Sequence, residues 1–403
     1  EYPVSVKAFA DSGDADDGPA LDLAMDFAAA QQRQMMIKGE KILDERLTTP
    51  DGGMFLRGAG PGAILKLALA STALPIYVLN PTGKVDIGHL EIDLNSAGQL
   101  DAGGVQVAGG AGVSLFHHLE IHSGGTPEAS NPAGVDGLAI AGYNAGTWPD
   151  DLVLAKAFVH DLHVHHCTKA AINSTTGADG ICASNILAED MHGNGSTPSF
   201  QFNGSRNTVG TNLISRRTQG PGFICQSVSG LPAPLTVWEQ SNILLSNAMA
   251  IDSGMKGAGT HAEGHGFLIS NSNGSTASRS NISLLNALSV NSFEASLAMS
   301  DIRETNVKNF KGLTSSNGVR LERCFDTAVH AIVKDVNRKG VSGAAALLLR
   351  GAGDALDLNI YYQNVSDDPV PILCYADQGV IDDSDIELKW RGALSGVPIQ
   401  KAG

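Results

Sequence analysis

Residues 161–222 read DLHVHHCTKAAINSTTGADGICASNILAEDMHGNGSTPSFQFNGSRNTVGTNLISRRTQGPG, and one short unit occurs in them three times. The copies are DLHVHHCTK at 161–169, SNILAEDMHGNG at 184–195 and TNLISRRTQGPG at 211–222. Each is a polar residue, then apolar–any–apolar, then a polar turn. A two-residue period is that of a strand with one face buried. Outward from this stretch, HLEIHSGG at 118–125 precedes it, and SNILLSNAM at 241–249 and SNISLLNAL at 280–288 follow. A second strand-like half recurs as GLAIAGY from 137, SFQFNGS from 199, GFICQSV from 222 and GFLISNS from 266. It continues as ASLAMSD from 295, GVRLERC from 318 and AALLLRG from 345. Units spaced roughly 23 to 34 residues apart, with one interval of about 44 and no helix between strands, define an all-β solenoid.

The bulk composition agrees. Glycine is frequent at 47 residues and aromatics make up 5%, as tight turns around a stacked aliphatic core require. The formal charge of −15 disfavours nucleic acid and anionic membrane surfaces as partners. No apolar run is long enough to span a bilayer. Cys167, Cys182, Cys225, Cys324 and Cys374 are odd in number and lack CxxC spacing, so neither a disulfide framework nor a zinc site is expected. Cys225 falls on an inward strand position, where a thiol acts as a small hydrophobe. The chain starts at Glu1 rather than at an initiator methionine; a removed secretion signal is one explanation and a trimmed boundary another, and the first would suit an extracellular or virion-surface protein.

Residues 1–50 differ from 51–403. VSVKAF at 4–9 alternates like a strand, and Asp16, Asp17 and Pro19 then introduce the helical run ALDLAMDFAAAQQR. Leu21, Met25 and Ala28 share one face, which Phe27 is expected to extend. Such a helix would plug the open end of a solenoid. The order VKAFADSGDADDGPALDLAMDFAAA, a short strand, then FLRGAGPGAILKL at 55–67 resembles the N-terminus of the pectate-lyase-like superfamily, phage tailspikes included. One departure is Lys38-Gly39-Glu40-Lys41, where that family usually carries Pro-x-Gly-x-Tyr. The resemblance implies a right-handed parallel β-helix with an N-terminal capping helix, and a possible homotrimer. It leaves the chemistry open, because lyases, hydrolases, epimerases and transferases share the fold.

In a parallel solenoid, equivalent residues of successive coils lie about 4.8 Å apart. Aligning the first strands predicts inward columns Leu119, Leu162, Ile186, Leu213, Ile243, Ile282 and Ile121, Val164, Ala188, Ser215, Leu245, Leu284. A polar column follows from His118, Asp161, Asn185, Asn212, Asn242 and Asn281, read as stacked amides. Two outward columns change character. One runs Asp93, His122, His165, Glu189, Arg216, Ser246, Leu285; the other runs Ser123, His166, Asp190, Arg217, Asn247, Asn286. Acid, imidazole and guanidinium side by side are the means to shift pKa values and move protons, although a surface ion-pair ladder has the same composition.

Two insertions flank these columns: 142–151, with Tyr143 and Trp148 suited to stacking on a sugar ring, and 248–266, with Lys256, His261 and Glu263. The catalytic candidates are His165, Glu189, Arg216, His166, Asp190, Arg217 and Lys169. Substrate-binding candidates are His122, Asp136, Tyr143, Trp148, Gln201, Gln226, Lys256, His261 and Glu263. No cofactor is expected. A metal on His163 and His165 would need a third ligand such as Glu189, and calcium could bridge Glu189 and Asp190. The favoured activity is β-elimination on a uronate-containing polysaccharide: arginine or Lys256 neutralises the carboxylate, His165 or Lys169 takes the C5 proton, and Tyr143 or His166 protonates the leaving oxygen. The alternatives are C5 epimerisation, glycoside hydrolysis or glycosyl (fructosyl) transfer by paired carboxylates, and a non-catalytic glycan-binding spike.

Overall fold

The computed structural model describes residues 3–6, 16–68, 75–95, 103–110, 112–124, 135–144, 150–192, 198–229, 231, 237–254, 264–271, 280–336, 345–351, 353–363, 370–375, 381–382, 384–391 and 399–402. Nearly all strands join one parallel sheet that winds into a right-handed β-helix, preceded by the helix Gly18–Ala30. That helix buries Ala20, Leu21, Ala24, Met25 and Ala28 against the first coil. Phe27 does not extend this face: it is 44% exposed and points outward. Asp17 is the N-cap residue but makes no capping bond; its carboxylate accepts from Lys41 Nζ and the Ile42 amide instead. Asp16 does the local work, accepting from the Gly18 amide at 2.8 Å.

Each coil has three faces. Strand Ala155–Cys167 shows how the chain turns: Asp161 and His166 have φ of 56° and 53°, so residues 155–160 and 162–165 lie on consecutive faces. The left-handed region is costly for most L-residues but accessible to Asn, Asp and His, which explains the polar corner columns. The first corner carries His118, Asp161, Asn185 and Asn212, all at positive φ. The side-chain ladder runs from Asp161 to Asn185 (3.1 Å), on to Asn212 (3.0 Å) and then to Asn247 (3.2 Å). Here the alignment is corrected. Asn242 and Asn281 form a different ladder, with Asn207 and Asp179, and Asn212 is followed by Asn247, Asn286 and Asn309.

The same correction applies inside. Ile243 and Leu245 pair with Thr208 and Gly210 on the first face, while the second face continues from Ser215 to Ala250 and Ser289. Strand Met249–Ser253 is therefore part of a coil, so the second insertion starts beyond it. Strand Ile172–Ser174 supplies a coil, between the strands at 138 and 200, that the repeat pattern missed. The third face holds an aromatic stack, Phe200–Phe223–Phe267, with centroids 4.8 and 4.7 Å apart and rings nearly parallel. Cys225 is buried beside it, its thiol pushed up to about 12 by desolvation.

The corner geometry makes a measurable prediction. Asn212→Ala and Asn212→Gly both lose the ladder bond, but only alanine suffers the left-handed backbone. The glycine variant should unfold at higher denaturant, more stable than the alanine variant by about 1 kcal/mol. Equal stabilities would contradict the assignment of strain to this corner.

Candidate functional site

The second face carries the charged belt. Its outward column runs Asp93, His122, His165, Glu189 and Arg216 in register, as the sequence alignment proposed. Beyond Arg216 it continues as Ile251 and Val290, not Ser246 and Leu285. The corner beside it carries Ser123, His166, Asp190 and Arg217, all at positive φ. Asp252 and Asn291 follow there, joined by their own hydrogen bond, in place of Asn247 and Asn286. The next outward column adds Glu91, Glu120 and His163, then turns apolar at Leu187 and Ile214.

The side chains form a connected network. His122 Nε2 contacts Glu91 at 3.0 Å, and its ring stacks on that of His165 with centroids 5.1 Å apart. His165 Nε2 lies 3.2 Å from Glu120 Oε1, and its Nδ1 lies 2.7 Å from Nδ1 of His166. His163 bridges, with Nδ1 3.9 Å from Glu120 and Nε2 3.6 Å from Glu189 Oε2. Arg216 and Arg217 both donate to Glu189. Arg217 also grips Asp190 through two bonds of 2.7 Å.

Electrostatics follow from this wiring. Burial pushes the Glu189 carboxyl up, but Arg216 and Arg217 outweigh it and hold the group below the usual carboxylate range. Asp190 is held low by its Arg217 bonds. Burial lowers His165, and the imidazoles of His163, His122 and His166 add to this; Glu120 opposes but does not prevail. His165 is thus a neutral imidazole near pH 7 in contact with Glu120, while Arg216 and Arg217 take up the charge of Glu189 and Asp190 in the next coil.

Other candidates lie elsewhere. Asp136 is buried, and its oxygens accept from the Ala170 amide (3.0 Å) and Asn173 Nδ2 (2.9 Å). Desolvation raises its pKa, and the charge of nearby Lys169 partly offsets this. Gln201 and Gln226 sit on the third face. Tyr143 lies in an antiparallel hairpin with Leu152–Val153; its side chain and Trp148, Lys256, His261 and Glu263 lie outside the described residues. Glu91 and Glu120 were missed. The signal was present: HLEIH places Glu120 on the outward face two residues before His122. The carboxylate that shares a point of convergence with His163 and His165 is likewise Glu120, not Glu189.

Two cavities adjoin the belt. One of about 440 Å³ is lined by the 58–63 loop with His89, Glu91, His118 and Glu120. The larger, about 750 Å³, lies not over the belt but further along the solenoid. Met249, Leu288, Ile332 and Tyr361 line it together with Asn247, Asn286, Asn309 and Lys311.

The pKa directions predict how stability depends on pH. His89, His117 and His165 are all lowered, first by burial, from 6.5. The unfolded chain therefore binds more protons than the folded one just below pH 6.5, and stability falls as pH drops through that window. Asp22, raised to about 6 chiefly by burial, acts the other way between 3.8 and about 6. Asp136, also raised by desolvation, acts the same way as Asp22, so the comparison is internal: with chelator present, the melting temperature of wild type relative to a His165→Gln variant should fall from pH 7 to pH 5.5. A flat profile would contradict the neutral-imidazole assignment.

No protein-family model matches the chain, and no curated protein matches it in sequence. Solved structures do. The N-terminal fragment of bacteriophage phi29 gene product 12 matches with TM-score 0.64 at 13% identity, over 99% of this chain and 70% of that one. The A-module of the Azotobacter vinelandii mannuronan C-5 epimerase AlgE6 matches with TM-score 0.59 at 14% identity, over 99% of both chains. The AlgE4 A-module of the same organism gives 0.57 at 15% identity, over 99% and 100%. At these identities the likeness establishes the fold alone, a right-handed parallel β-helix. No described helix is long and apolar enough to cross a membrane.

Proposed function

We propose that this chain acts on a polysaccharide containing uronate residues, and that its second face removes the C5 proton, with β-elimination as the outcome. The observation that carries this reading is His165, a neutral imidazole held by Glu120 and two coils from Arg216 and Arg217, with Glu189 and Asp190 in the coil between. In the proposed step, Arg216 and Arg217 exchange part of their contact with Glu189 and Asp190 for the substrate carboxylate. That contact makes the C5 proton acidic enough to abstract. His165 takes the proton, the C4–O bond breaks, a C4–C5 double bond forms, and His166 returns a proton to the leaving oxygen. Glu120 orients the base, as a carboxylate does for an imidazole in other proton-transfer pairs. The larger cavity, with its amide rim and apolar floor along the same face, would hold further sugar units.

Hydrolysis fits less well. It needs one carboxylic acid kept protonated to serve the leaving group, whereas Glu189 and Asp190 are both held low. The raised carboxyl of Asp136 is buried, with both oxygens bonded. The second reading is C5 epimerisation, which begins with the same proton removal. The likeness to two mannuronan C-5 epimerase modules over nearly the full length of both chains supports it. A screen of polyuronates reading ultraviolet absorbance and reducing ends together tests the proposal. Elimination gives absorbance from unsaturated ends; reducing ends without absorbance would overturn it in favour of hydrolysis.

A further inference from the structure

Nine of the twelve histidines fall between residues 89 and 192, and the belt described above uses only some of them. A separate group gathers at the first corner of the preceding coils. His89 and His118 occupy that corner at φ of 56° and 50°, with rings stacked 4.5 Å apart. His117 lies edge-on to both, centroids 5.1 Å away. One ring nitrogen from each of the three lies within 4.8 Å of the others. We propose that His89, His117 and His118 bind one first-row transition-metal ion, with zinc(II) as the probe, through one ring nitrogen each, Nδ1 in the case of His117 and His118.

Three observations carry this. First, the two Nδ1 atoms converge to 2.8 Å while both Nε2 atoms face carboxylates: His117 Nε2 is 3.2 Å from Asp86 Oδ1, and His118 Nε2 is 3.6 Å from Asp161 Oδ2. Metal-binding histidines characteristically direct the other ring nitrogen at a carboxylate, which fixes tautomer and ring orientation. With no ion between them, one Nδ1 must carry a hydrogen, and a neutral ring can then spare none for its own carboxylate. An ion accepting both Nδ1 lone pairs lets both Nε2–H groups donate. Second, the fold makes room for the buried ring. A Cβ at residue 88 would stand 2.5–2.6 Å from His117 Cε1 and Nε2, so only Gly88 admits the imidazole. Third, the site opens onto the cavity of about 440 Å³ that His89 and His118 line, leaving a coordination position for water.

An all-imidazole set selects for zinc, copper or nickel over calcium, which prefers oxygen ligands. Asp86 is also bonded to Arg57 at 2.6 Å, so the guanidinium charge nearest the site is already compensated.

The test is calorimetric titration of tag-free, chelator-stripped protein with zinc chloride. His89→Asn and His118→Asn suit it, since asparagine fills equivalent corners elsewhere in this chain and keeps the left-handed turn. Wild type should bind zinc saturably, each variant should lose one equivalent or at least tenfold in affinity, and calcium should not compete. His163→Asn, which disrupts the neighbouring Glu120–His163–His165 group, should retain that equivalent. Absence of saturable zinc binding would overturn the proposal. So would binding that survives both corner substitutions or disappears with His163→Asn. This test is independent of any glycan activity.

Discussion

Replacing His165 with glutamine should lower turnover of a uronate polysaccharide by about 10²–10⁴-fold, the range a positioned general base contributes. Glutamine keeps the length and polarity of the side chain but cannot accept a proton. His165 is only partly buried, and its contacts with Glu120 and His166 are not core packing, so the melting temperature should stay close to wild type. The acidic limb of the kcat/KM profile should lie below pH 6.5, because burial and the neighbouring imidazoles lower this group. Activity within threefold of wild type would remove His165 from the chemistry and turn attention to another base on the belt. Glu120→Gln should lose less, since a positioning residue leaves the base itself in place.

The largest effect on stability is expected at the aromatic stack. Phe223 is 1% exposed and sandwiched between Phe200 and Phe267. Phe223→Ala should cost about 3–5 kcal/mol, combining lost transfer energy with a cavity that rigid parallel coils cannot close. Phe223→Leu should cost clearly less, because it refills most of the volume. The measurement is chemical denaturation, and a loss below about 1 kcal/mol for the alanine variant would mean that the third face is not packed as described. In a solenoid each coil stabilises only its neighbours, so the unfolding transition should broaden as well as shift.

Much of this architecture was legible in the sequence, for a physical reason. Strand periodicity and inward apolar residues repeat because every coil faces the same core, so the columns from Asp93 to Arg216 could be aligned correctly. The alignment slipped at Asn242 because an asparagine followed by alternating apolar positions occurs at two corners of a coil, Asn185-Ile186-Leu187-Ala188 at one and Asn242-Ile243-Leu244-Leu245 at another. Each corner needs a residue at positive φ, and asparagine meets that need at either. The motif therefore marks a turn without saying which turn. Ile172–Ser174 was missed because three residues carry too little periodicity to stand out. Phe27 was placed on the wrong side of the capping helix because its neighbours Met25 and Ala28 suggested a wider apolar face than the coil beneath can cover. In the site, the run from His165 to Arg217 was visible as a change from amides to charges. Glu91 and Glu120 were not, since single outward acids are the ordinary surface of a soluble strand, and only register reveals that they face His122 and His165.

The proposed chemistry turns on removal of the C5 proton, a step that elimination and epimerisation share and hydrolysis lacks. The direct measurement is proton NMR of a polyuronate incubated with the protein in deuterium oxide. Wild type should replace or lose the C5 proton and the His165→Gln variant should not. Cleavage of the polymer with every C5 proton retained would contradict the assignment.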